Sequence, residues 1–396
     1  MVNITGKRIL IAGGSHAELP LIETAKKQGN YVLTTGNNID GIGHKMADQY
    51  IPGDFSDKEL ILKLARQEKV DAIVSGCNDF SYLSTAYACE QLGLPGHDSY
   101  ETAKLVHHKN SFRKLTRLLG IKTPLVCTCS GRQDVIRACD FLKFPVVVKP
   151  TDLTGGKGVT ICRNKEEALL AYENAIKVTR EPAVIVEEYI EGSNHGASVI
   201  LKNQKVVFGF CDNEQYYENK YLVSGACFPP DLPYCTMVQL FSDIEKIAGE
   251  LQLVDGIFHT QFIVGRDTMP VMIDPCRRSP GDLYILLVKY STGIDYPLEI
   301  LKAECGEPVD EKYLPHYRNI ARECIMTNRN GVMEDICINP EIKERIIDQL
   351  IWGQKGDLIC DYLKYKAGIL FFECDDYREL YKMVDDFHRL VTIEAH

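Results

Sequence analysis

The chain lacks any apolar run that approaches the length of a membrane span, and no signal-type apolar segment precedes its first strand. A cytoplasmic protein without a membrane partner is therefore expected. Positive charge is in deficit: 45 Lys and Arg stand against 55 Asp and Glu, a formal net charge of −10. That balance argues against a nucleic-acid backbone as principal partner. There is no Cys-x-x-Cys pair among the 15 cysteines, and Cys127 and Cys129 are the closest spacing. Reduced, mostly buried thiols are expected instead of a zinc site or a disulfide framework. Neither Gly-x-x-x-x-Gly-Lys-[Ser/Thr] nor Gly-x-Gly-x-x-Gly occurs, which argues against a Walker loop and a dinucleotide fingerprint. No repeat, no low-complexity segment and no persuasive Ser-His-Asp or Cys-His constellation is present. The length of 396 residues allows two or three domains with a sizeable core.

What is present centres on residues 144–162, FPVVVKPTDLTGGKGVTIC. Val146 to Val148 read as a buried strand that ends at Lys149-Pro150, where Pro stops further pairing. A polar loop with Thr154, Gly155, Gly156, Lys157 and Gly158 follows, and Val159 to Ile161 begin a second strand. Glycines let backbone N–H groups approach phosphate oxygens, and lysine adds charge. A flexible hairpin loop is the alternative; Lys149 at the strand end favours phosphate.

The first hundred residues alternate strand and helix: strands 7–12, 31–35 and 70–75, helices 17–28, 57–68 and 82–92. That pattern predicts a small doubly wound parallel sheet. Ser15, His16, Asn78 and Asp79 fall at strand C-terminal ends, where such sheets bind ligands, although Ser15 and Asp79 serve equally well as helix caps. Residues 101–119 read as one helix carrying Lys109, and 164–177 as another. Strand 183–186 runs into Glu187, Glu188 and Ile190, a strand end suited to an adenine edge or simply an exposed acidic turn. A hairpin over 198–201 and 205–212, an irregular aromatic stretch over 215–233 and a helix over 237–252 come next. The hairpin of 256–264 and 270–273 sets Gln261 beside Asp274, two oxygen ligands that suit Mg²⁺, with Arg277 and Arg278 just beyond. The remainder reads as a small α+β domain: strands 321–327, 331–336, 356–364 and 368–373, helices 340–349 and 376–390, and a last strand 391–394.

In this order the features resemble the ATP-grasp superfamily, closest to its carboxylate–amine ligases and its purine-pathway and carbamoyl-phosphate-synthase-like members. The resemblance spans essentially the whole chain. It implies an α/β fold with a doubly wound domain (1–105), an ATP-grasp domain (106–305, lid about 123–190) and a C-terminal closing domain (306–396). It implies ATP and Mg²⁺ as cofactors, small-molecule carboxylic acid and amine substrates, and a homodimer. Lys109 and Lys149 look like the two phosphate-binding lysines, TDLTGGKGV like the glycine loop, and Glu187, Glu188 and Ile190 like the adenine hinge. His195 stands where an acidic residue commonly meets the ribose. Gln261, Asp274 and Cys276 occupy the metal-ligand positions, with Gln261 in place of a carboxylate and Cys276 in place of an asparagine. One Mg²⁺ held mainly by Asp274 and the phosphates follows, and Arg278, with Lys149, is the family-like catalytic residue. The implied chemistry is activation of a carboxylate as an acyl phosphate and its capture by an amine. An ATP-dependent carboxylase using bicarbonate and a nucleotide-binding module without catalysis are the alternatives.

Overall fold

The computed structural model describes residues 4–153, 156 and 158–396. Strands β1 (Arg8–Ala12), β2 (Tyr31–Gly36), β3 (Gln49–Pro52) and β4 (Ala72–Ser75) form a parallel sheet in the order β3-β2-β1-β4. The order reverses between β1 and β4, so the loops after these two strands diverge and leave a crevice at their carboxyl ends. Ser15 lies in the first of those loops, Asn78 ends the second, and Asp79 opens the helix that follows it. The Asn78 side chain caps the helix Asp79–Leu92 by accepting from Phe80 N, which starts the helix three residues before the expected Tyr82.

The expected single helix over 101–119 is two, Tyr100–His107 and Lys109–Leu118, because His108 is extended at φ −85°, ψ 112°. The His107 ring is held by Asp79 at 3.2 Å while Phe112 buries on the other side. The break makes Lys109 the first residue of its helix and turns it inward.

Strands β5 (Val126–Cys129), β6 (Val146–Pro150), β7 (Thr160–Cys162) and β8 (Val184–Glu188) make an antiparallel sheet in the order β5-β8-β6-β7. Helices Arg132–Phe141 and Lys165–Ala175 close its core over Val146, Val148, Cys162 and Val186. Pro150 still pairs with Val184, so pairing runs one residue beyond the expected stop; the missing N–H falls at the last strand position.

The central sheet has eight strands: β9 (Ser193–Lys202), β10 (Lys205–Tyr216), β11 (Val223–Phe228), β12 (Gly256–Val264), β13 (Pro270–Cys276), β14 (Asn319–Ile325), then, past β15 (Gly331–Ile338), β16 (Ile346–Ile351) and, past β17 (Leu358–Ile359), β18 (Gly368–Cys374). Their order is β13-β12-β9-β10-β11-β14-β18-β16. Three expectations are corrected here. The stretch 215–233 is not irregular throughout, because β11 runs through it with Ser224 to Cys227 buried between β10 and β14. The helix over 340–349 stops at Lys343, and 346–351 is a strand whose exposure alternates residue by residue, the two-residue period of a sheet edge. The C-terminal segment does not form a sheet apart: β14, β16 and β18 continue the central one, and only β15, β17 and β19 (Val391–Ala395) make a separate three-stranded layer. Helices Tyr284–Thr292 and Tyr296–Glu304, which periodicity did not reveal, tie the central sheet to the first domain. Glu304 accepts from Ser75 N at 2.5 Å and Ser75 Oγ at 2.9 Å.

Among the described residues no helix is long and apolar enough to cross a membrane.

Candidate active site

A cavity of about 760 Å³ lies between the β5–β8 sheet, the central sheet and the loop after β4. One end is apolar: Val147 and Ile161 of the β5–β8 sheet and Val159 just before β7 line it with Ile263 and Ile273 of the central sheet. Glu188, Tyr189 and Ile190, where β8 ends, border it. Leu125 N donates to Glu188 Oε2 at 3.3 Å, which fixes that corner.

The middle of the cavity is ionic. Lys149 Nζ sits 2.5 Å from Glu187 Oε1 and 3.9 Å from Asp274 Oδ1. Lys109 Nζ lies 3.6 Å from the same Asp274 oxygen and donates to the Leu153 carbonyl at 2.9 Å. Behind them Arg113 Nη2 stands 3.5 Å from Glu187 Oε2. Lys109 and Arg113 are one helical turn apart, hence on one face. Lys109, Lys149, Arg113 and Glu187 are each at most 5% exposed. Three buried cations against two carboxylates leave a positive excess, which a low-dielectric site tolerates only with an anion to match. Burial raises the Asp274 carboxyl, but Lys109, Lys149 and Arg113 outweigh it and hold the group below the usual carboxylate range.

Glu187 is thus taken up by Lys149 and Arg113 and does not present itself to an adenine edge as the hinge reading supposed; Glu188 and Ile190 remain at the apolar end. Gly156 and Gly158 both have positive φ, 73° and 71°. A Cβ on Gly156 would fall onto the Tyr221 carbonyl, so the glycine lets the loop seat on the β10–β11 connection. Tyr221 OH also accepts from Ile161 N at 3.0 Å. Thr154, Gly155 and Lys157 lie outside the described residues.

His195 does not fit a ribose contact. It is 1% exposed, its ring stacks on Phe262, and its nitrogens meet the Asp212 carbonyl at 3.0 Å and Ser193 Oγ at 2.6 Å. Side chains alternate along β9, so Asn194 faces the cavity and His195 faces away.

The metal positions read differently from the sequence. Gln261 and Asp274 are direct cross-strand partners. Gln261 Nε2, however, donates to both Glu214 oxygens at 2.8 Å, and Tyr216 OH donates to Glu214 Oε2 at 2.7 Å. Burial raises the Glu214 carboxyl, and the charge of Asp274 adds to it. Cys276 is unsuited to a hard cation: burial raises its thiol, which lies 3.6 Å from the Arg278 carbonyl. Among the described residues no three His, Cys, Asp or Glu side chains form a metal cluster. The buried Asp274 Oδ1 lacks a hydrogen-bond partner. One such carboxylate, with Glu214 and the Gln261 amide near by, fits Mg²⁺, which takes few protein oxygens and completes its shell with phosphate and water.

Arg278 Nε donates to Asp79 Oδ1 at 2.7 Å, and Asp79 is also held by His107. Burial notwithstanding, Arg278 and His107 keep Asp79 well below the usual range. Arg277 turns away from the cavity to Asp98 at 2.9 Å. Sequence reasoning missed Glu214, Arg113, Asp282 and Arg322. Asp212, Glu214 and Tyr216 recur at every second position of β10, a polar stripe that the two-residue period could have exposed. No local pattern marks Arg322, which reaches the cavity only through the strand order.

Residues 107–216 match the family model described as phosphoribosylglycinamide synthetase, ATP-grasp (A) domain, a span holding both lysines, the lid and Glu214. A formate-dependent phosphoribosylglycinamide formyltransferase of Prochlorococcus marinus is 24% identical over 281 residues, 69% of this chain and 71% of that one. The L-amino acid ligase of Bacillus licheniformis matches over 99% of both chains at 18% identity, with a TM-score of 0.84. The biotin carboxylase domain of Hydrogenobacter thermophilus 2-oxoglutarate carboxylase, solved with MgADP and bicarbonate, matches 99% of this chain and 91% of its own at 19% identity, with a TM-score of 0.80. Residues 107–216 are thus similar in sequence to an ATP-grasp domain, and the chain from end to end shares the fold of these ligase and carboxylase structures.

Proposed function

We propose that the protein is an ADP-forming ligase that activates a small carboxylic acid with ATP and joins it to an amine. The observation that carries this is the convergence of Lys109, Lys149 and Arg113 on Glu187 and Asp274, one positive charge in excess, beside an apolar slot. In this reading the apolar end takes adenine, with the Glu188–Ile190 corner at its edge. Lys109 and Lys149 take the triphosphate, and Asp274 with Glu214 or Gln261 would hold Mg²⁺, which neutralises phosphate charge when bound. Arg278, kept in place by Asp79, orients the acid. A carboxylate oxygen attacks the γ-phosphorus, the bond to the bridging oxygen breaks and ADP leaves. The amine nitrogen then attacks the acyl carbon and phosphate departs, leaving an amide. Chemistry of this kind needs positioning and charge neutralisation, which is what the site offers.

The formyltransferase and ligase relatives support a carboxylate substrate. Phosphate and ADP release should be measured across pairs of acids and amines, with formate and bicarbonate among the acids. Release that requires both partners is the expected result. Release with bicarbonate alone would replace the ligase by a carboxylase, and none with any pair would leave a binding module. The same reading includes a cytoplasmic homodimer, checked by light scattering and cell fractionation.

A further inference from the structure

We propose that Arg322 binds a second, non-reacting anionic group of the acid substrate, so that the acid is a dianion such as a dicarboxylate. This rests on the ligase reading above. Arg322 stands on β14 opposite Ala226 and lines the end of the cavity away from the apolar slot. It is 2% exposed, among the largest fully enclosed side chains of the protein. A guanidinium carries five donors in a fixed fork and cannot give up its charge. Here Nη1 meets only the Asp282 carbonyl at 3.2 Å and Cys324 Sγ at 3.6 Å, and Nε has no partner.

The carboxylates around it are spoken for. Asp282 is held by Lys366 at 2.6 Å and lies 3.5 Å from His16. Asp212 accepts from Tyr284 OH and from Gly196 N. Glu323, next in sequence, points to the other face of β14, into the space left by Gly225. Among the described residues none forms an ion pair with Arg322. Asp282, Glu323, Asp212 and Glu214 act on its charge from a distance, but a buried guanidinium whose donors close no ion pair costs the fold free energy that a ligand's carboxylate would offset. Arg278 makes the contrast: it is held on the opposite wall by Asp79 and the Ser279 carbonyl, four residues after Asp274. One carboxylate of the acid at Arg278, next to the phosphates, leaves Arg322 for the second anion, and its planar fork suits a carboxylate.

The test compares acids of equal length with one and two carboxylates, butyrate against succinate and valerate against glutarate. Binding to the protein with ADP and Mg²⁺ is measured by calorimetry, alongside ADP release with amine present. Wild type should bind one of the diacids about tenfold to a hundredfold tighter than its monoacid, the scale of one charge-assisted contact. Arg322→Ala should lose that preference with ADP affinity unchanged, free guanidinium ion should restore part of it, and Arg322→Lys should fall between. Equal binding of mono- and diacids by wild type would overturn the proposal without recourse to any variant, as would a preference that survives in Arg322→Ala. Diacid preference without ADP release in any acid–amine pair would instead overturn the ligase reading and leave the anion site standing.

Discussion

The two ends of the cavity are built in opposite ways. At the nucleotide end, Lys109, Arg113, Lys149 and Glu187 come from one helix and the two adjacent strands β6 and β8, and only the two lysines reach outside this stretch, to Asp274. At the acceptor end, Glu214, Gln261, Asp274, Arg278 and Arg322 come from β10, β12, β13, the turn after it and β14; Arg278 is paired with Asp79 at 2.7 Å, whereas Arg322 has no ion-pair partner among the described residues. The nucleotide end grips a ligand of fixed shape, so it can be compact and local. The acceptor end is assembled across strands β10 to β14, where a single substitution can change what is accepted without disturbing the grip on ATP.

The largest effect expected from breaking this division is at Asp274, which both ends share. Asp274→Asn should lower Mg²⁺-dependent phosphate release on the order of a hundredfold to a thousandfold, the scale of losing one contact to transferred charge. ADP affinity without Mg²⁺, measured by calorimetry, should change little. Next is Lys149→Ala. It should weaken ATP binding by about 1.5–3 kcal/mol, tenfold or more, through one lost charge-assisted contact. It should also lower the melting temperature, because buried Glu187 keeps only Arg113 at 3.5 Å. A smaller effect is expected for Gln261→Glu. On sequence alone this change restores a carboxylate and should keep or raise activity. The structure reverses the sign, since the new carboxylate would face Glu214, whose two contacts to Gln261 Nε2 it removes. A loss of about 1–3 kcal/mol in stability is expected, and Gln261→Glu combined with Glu214→Gln should recover most of it in thermal melts.

The mildest change acts through pH, on the face of β14 turned away from the cavity. Burial pushes the Glu323 carboxyl up to about 8. The folded protein therefore holds a proton there that the unfolded chain has already released above the ordinary carboxylate range. Stability should fall as pH rises from the ordinary range towards 8 and then level. Chemical denaturation across that window should show a shallower slope for Glu323→Gln than for wild type.

How far the sequence could be read follows the same division. Local strings were legible: the β6 strand carrying Lys149 near its end, glycines after it, and the hairpin that makes Gln261 and Asp274 cross-strand partners. Lys109 was legible as a residue but not as the start of a helix, because the break at His108 adjoins a contact of His107 with Asp79, which an earlier helix supplies. His195 misled because position along the chain does not say which face of a strand a side chain takes. Glu214 left a trace in the alternation along β10, but Arg322 left none. Its place in the site is set by the pairing of β11 with β14, and strands so far apart in sequence carry no mutual signal in a single chain.

The most direct test of the central claim is trapping of the activated acid. With ATP, Mg²⁺ and the acid that supports ADP release, but with hydroxylamine replacing the amine, the nitrogen of hydroxylamine should displace phosphate and give one hydroxamate per ADP. Hydroxamate in that ratio is the predicted result. ADP formed at the same rate with no hydroxamate would contradict an acyl phosphate and, with it, the ligase account.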